Sequence, residues 1–167
     1  MAMAANAAKL ETPLKADYAS EADAVEGWAS ALIAYFKTMD RLPGTDAIID
    51  GFKSSIKTAM AGMSNPGPPP PAPPAPQGPL KLQAGFVAAW LGIASQAAAL
   101  YSGATTATPP PAVATIAAVI LPGVFPLNQV PGVTKAQAAT TTANALSPAN
   151  ATGGFWVLPG PVTVAIT

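Results

Sequence analysis

Residues 20–39 read SEADAVEGWASALIAYFKTM. Val25, Trp28, Leu32, Tyr35, Phe36 and Met39 recur at steps of three and four, which gathers them on one face of a helix. Ser20 is a good N-cap residue, with Asp23 three positions on, close to a capping box. Glu21, Asp23 and Glu26 place negative charge at the positive end of the helix dipole. The pattern predicts a helix over 21–38. Leu42-Pro43-Gly44 supplies a turn. A second helix is predicted from Asp46 to Met63, capped by Thr45, with Ile48/Ile49, Phe52, Ile56, Met60 and Met63 as its apolar stripe. The short connection makes the two an antiparallel helical hairpin with facing stripes.

C-terminal to this hairpin the chain changes character. Residues 66–79 hold nine prolines in fourteen positions, so helix and central strand are both disfavoured there. Polyproline II rises about 3.1 Å per residue, so the segment reaches on the order of 40 Å. A spacer and a ligand for a proline-recognition domain are the two readings. The absence of basic residues beside Pro68–Pro76 favours the spacer. A third helix follows from Leu80 to Tyr101, with Leu82, Phe86, Trp90, Ile93, Ala97 and Leu100 as its stripe. Gly85 and Gly92 lie seven apart on one face. Glycine costs about 1 kcal/mol in a helix interior, and close helix contact would offset that.

Two weaker helices are expected, from Pro110 or Pro111 to Leu121 and from Lys135 to Leu146. Gly153-Gly154 then opens a tail in which Val162, Val164 and Ile166 alternate. Pro159-Gly160-Pro161 is expected to prevent continuous sheet pairing. The expected architecture is mainly α: a hairpin with an N-terminal arm (1–64), a proline-rich spacer (65–79), a second helical part (80–152) and an extended C-terminal tail (153–167).

Charge is divided as sharply as structure. All eight acids lie in the first 50 residues, and Lys135 is the one charged residue after Lys81. Soluble domains carry about a quarter charged residues; this chain carries 10%. A half so bare of charge is expected to have its surface covered. The 50% apolar fraction includes 38 alanines, whose methyl groups bury little area. Thin helix pairs and close backbone packing follow.

Composition also limits the chemistry. There is no cysteine and no histidine, which excludes disulfides, thiolate metal sites and imidazole catalysis from this chain. Net charge is zero with no basic run, so nucleic acid binding has little electrostatic support. Ser54 and Lys57 match Ser-x-x-Lys by spacing, but that pattern is short, and Lys53 and Lys57 read as a solvated helix face. Glu21, Asp23 and Glu26 suit helix-end electrostatics better than a metal site. No cofactor or metal is expected. Met1–Ala8 has no basic segment ahead of an apolar run, so no signal peptide is expected. Leu82–Tyr101 is one bilayer span in length; its Gln83, Ser95, Gln96 and alanines argue against insertion.

Trp28 and Trp90 sit on helical stripes and read as core. Trp156 is flanked by Phe155 and prolines with nothing local to pack on. An anchor in an adjacent subunit and a core residue are equally open for it.

The Met63–Gly67 break, the Gly85–Trp90 segment GFVAAW and the Gly153–Pro161 tail GGFWVLPGP together resemble small virion structural proteins of tailed bacteriophages, of the baseplate, neck or capsid-surface type. The resemblance implies a multicopy, non-enzymatic part located in the virion, whose partners are other virion proteins and copies of itself. Its contact residues would be the spacer, Pro68, Pro69, Pro70 and Pro71 among it, and Phe155, Trp156, Val162, Val164 and Ile166. A small membrane-associated or membrane-active protein is the alternative.

Overall fold

A computed structural model describes residues 9–10, 13, 18–63, 77–109, 113, 154–160 and 162–167. The proline run Pro68–Pro76 and the helices expected at 110–121 and 135–146 lie outside the described residues, save for Val113.

Helix α1 is Glu21–Phe36. The Ser20 hydroxyl accepts from the Asp23 backbone N–H at 3.2 Å and donates to the Asp23 carboxylate at 2.9 Å. One orphan donor of the first turn is thereby satisfied. The last turn tightens: Thr38 and Met39 donate to carbonyls three residues back, and the Thr38 hydroxyl takes the Tyr35 carbonyl. The helix therefore stops two residues before the expected end. All six residues of the expected stripe are buried, and so are Ala24, Ala29, Ala31 and Ile33. Burial on more than one side reflects the packing of α1 against α2, α3 and α4.

The chain turns at Gly44, whose φ of +80° suits a residue without Cβ. The hydroxyl of Thr45, expected to cap the next helix, makes no cap bond. It donates to the Leu42 carbonyl and accepts from Arg41, both at 2.7 Å. The expected helix from Asp46 to Met63 is two pieces, α2 (Asp46–Gly51) and α3 (Lys53–Met60). Phe52 between them keeps helical dihedrals, but its N–H donates to Ile49, one residue short of the α-helical partner. At the far end the Gly62 N–H donates to the Glu21 carboxylate at 2.5 Å. The end of α3 is thus held at the start of α1, as the antiparallel hairpin requires.

Helix α4 is Gln77–Ser95 and α5 is Ala97–Leu100, with the break at Gln96. The start corrects one expectation: Gln77, Gly78 and Pro79 of the proline-rich segment are helical. Pro79 lies in the first turn, where a missing N–H removes no intrahelical bond. The stripe Leu82, Phe86, Trp90, Ile93, Ala97 and Leu100 is fully buried. The Phe36 ring meets Phe86 at 5.1 Å between centroids and Trp90 edge-on at 5.7 Å.

Helix α4 runs antiparallel to α3, with Gly85 against Met60 and Gly92 against Phe52. The two expected helical parts therefore share one core. The proline segment does not hold separate bodies apart, because its flanks are neighbours: Lys81 Cε would lie 3.5 Å from a Cβ on Gly62.

The tail is not a free extended arm. Strands β1 (Thr106–Thr108), β2 (Phe155–Leu158) and β3 (Val162–Ala165) form an antiparallel sheet in the order β1-β2-β3. Trp156 lies opposite Ala107 and Val164, and Leu158 opposite Val162. Pro159-Gly160 turns the chain, with Gly160 at φ +84°. Pro159-Gly160, part of the segment expected to prevent continuous pairing, is instead the turn of a β-hairpin. The architecture is helical with a small three-stranded sheet.

Candidate interaction surfaces

The charged side of the molecule is built by α1, α2 and α3. Glu26 bridges Lys53 and Lys57, the latter at 2.8 Å. Lys37 pairs with Asp50 at 2.7 Å, and Arg41 pairs with Asp46. The Lys53 hydrogen bond, then that of Lys57, pulls the Glu26 carboxyl from 4.5 down to about 2. Glu26, Asp50, Lys53 and Lys57 line an open groove with Gly51, Ser54 and Thr58. Ser54 and Lys57 do share a helix face, as their spacing requires, but the Lys57 ammonium is held by Glu26. Among the described residues no cluster of three or more acidic side chains stands ready for a metal ion.

The opposite character appears on α4. From Leu82 onward the described residues carry no charge. Gly85 and Gly92 face α3. At 100° per residue, Leu80, Val87, Leu91 and Ala94 fall on the side of α4 turned away from it. Leu80 is 43% exposed, Val87 38% and Leu91 66%. Beside them Val87, Trp90, Leu91, Ala94, Pro109 and Val113 enclose a small apolar cleft of about 80 Å³. The sequence reading followed the buried stripe and missed this second one. The signal was present, since α4 has apolar residues on two sides and few polar ones to face water.

The sheet places the expected tail anchors differently from one another. Strand alternation sends Trp156, Val164 and Ile166 to the core side. Trp156 and Ile166 are buried, and Trp156 stacks on Tyr101 at 5.1 Å and 14°. As placed, these two belong to the chain's own core rather than to a neighbour's. Ala107 supplies the local packing that the sequence did not reveal, through strand β1, which falls between the helices expected at 80–101 and 110–121. Phe155 and Val157 lie partly buried on the outer face, while Val162, on the same side as Val164 but next to the turn, is 51% exposed. Pro68, Pro69, Pro70 and Pro71 lie outside the described residues.

Two tryptophan indoles, Trp90 and Trp156, keep buried N–H groups with no hydrogen-bond partner among the described residues. No helix among the described residues is long and apolar enough to cross a membrane. No protein-family model, no curated protein and no solved structure matches the chain.

Proposed function

We propose that the chain is a non-enzymatic structural subunit of a larger protein assembly, of the kind found in tailed-phage virions. Its neighbours would be other virion proteins and further copies of itself. The observation that carries this reading is the division of the surface. Ion pairs cluster on the α1–α3 side, while α4 presents Leu80, Val87 and Leu91 to solvent with no charge beyond Lys81. An exposed apolar stripe without charge favours burial against another protein. A membrane-surface helix would border its apolar face with several basic residues, and α4 has one.

In this reading the mechanism is geometric. The buried core of α1, α3 and α4 fixes the stripe as a rigid face, and neighbours pack on it. Pro68–Pro76 and the outer face of the sheet, Phe155 and Val157, extend the contact. The test is the double substitution Val87→Lys with Leu91→Lys. Wild-type chain is expected to associate or to be poorly soluble alone, and the double variant to be soluble and dispersed with helicity unchanged. A freely soluble wild type, unaffected by the substitutions, would count against the reading.

A further inference from the structure

The edge of the sheet offers a second kind of contact, made by backbone rather than side chains. In the β2–β3 pair, Ile166 N–H donates to Gly154 at 2.9 Å. Antiparallel pairing alternates, so residues 162, 164 and 166 direct their N–H and C=O toward β2. Thr163, Ala165 and Thr167 direct theirs outward. Thr167 is already engaged: its N–H donates to the Asp40 carboxylate and its C=O accepts from Asp40 N–H, both at 2.9 Å. Pro161, on the other side, has no N–H to offer. Between these limits Thr163 and Ala165 are exposed and have no backbone partner on their outer side among the described residues.

We propose that this edge pairs with the same edge of a second copy, β3 against β3 in antiparallel orientation about a two-fold axis through Val164. The proposal rests on the assembly reading and names one of its contacts. Three features select a second copy as occupant. The open window is self-complementary: Thr163 would exchange both bonds with the partner's Ala165, and Ala165 both with the partner's Thr163. A two-fold axis sets each edge residue near its own kind, and Val162–Ala165 carries no charge to repel itself. Finally, the incoming strand must leave the edge opposite Thr167, where Asp40 already sits. A second β3 does so, because its chain turns back to its own β2 through Pro159-Gly160. Natural edges are commonly guarded by charge; this one is guarded only at its two ends.

Hydrogen exchange on the full chain tests this. In concentrated solution the Thr163 and Ala165 amides should exchange slowly although they face outward, and dilution should release them. Thr163→Pro removes an outward N–H without touching the β2 ladder. It should abolish the concentration-dependent protection of Ala165 while the near-UV signature of Trp156 persists. Should that variant lose the Trp156 signature, Ala165→Lys is read instead, with the concentration-dependent protection of the Thr163 amide expected to disappear. Fast exchange at both amides in an associated sample, or Ala165 protection that survives the variant, overturns the edge pairing and leaves assembly through α4 standing. A chain that stays monomeric at every concentration overturns the self-pairing as well. If such a monomer is also unaffected in solubility by the α4 substitutions, the assembly reading fails with it.

Discussion

The ring of Phe52 occupies the space that a side chain at residue 92 would need: a Cβ on Gly92 would lie 2.7 Å from Phe52 Cδ1. Real Cβ atoms do not approach that closely, so Gly92 is what lets α4 lie against the junction of α2 and α3. Gly85 repeats the arrangement two turns earlier, where Met60 Cγ would lie 2.7 Å away. The two contacts differ in what can yield. Met60 is flexible and Phe52 is a rigid ring. Gly92→Ala should therefore destabilise by about 1–3 kcal/mol, and Gly85→Ala by less. Gly51 has nothing within 4 Å of a built Cβ and no positive φ. Gly51→Ala should stabilise by about 0.5–1 kcal/mol. Urea unfolding of the three variants checks the order.

The helical half of the fold was legible because its signals are local. Ser20, the period of Val25 to Met39, and the Gly85/Gly92 pair each specify their neighbourhood within one or two turns. The sheet was not legible, because β1 and β2 are joined by Cα partners some fifty residues apart, such as Thr106 and Val157. Nothing near Trp156 in sequence announces Tyr101 or Ala107 as its packing partners. The break at Phe52 was equally hidden, since it coincides with Gly92 on another helix. Of the proposed contact surface, the loss of charge was visible and the orientation of Leu80, Val87 and Leu91 was not. Only the placement of α3 decides which side of α4 faces water.

Trp156 ties the tail to the body through Tyr101 and β1. Trp156→Ala should cost about 3–5 kcal/mol as a buried aromatic truncation. The near-UV circular dichroism of the stacked pair should disappear with it. Retention of wild-type stability would mean the tail does not pack on its own chain.

Glu26 sets an acid-dependent contribution. Its folded pKa of about 2 lies below its ordinary 4.5. A depressed carboxylate stabilises the fold fully above the unfolded value, and that stability is lost as pH falls through the folded one. The contribution should therefore decline between about pH 4.5 and 2. Glu26→Gln should remove that decline from the stability profile and converge with wild type at the acid end. Being exposed, the Lys53–Glu26–Lys57 bridge should also weaken with added salt. Denaturant titrations across pH at two salt concentrations measure both.

The central claim is that neighbours cover the uncharged face of α4. Covalent footprinting of the full chain across a concentration series reads this directly, with Leu42, 37% exposed beside the ion pairs, as the internal reference. Labelling of Leu91 and Val87 is predicted to fall as the chain is concentrated, while labelling of Leu42 holds constant. Equal labelling of Leu91 at every concentration would contradict the claim.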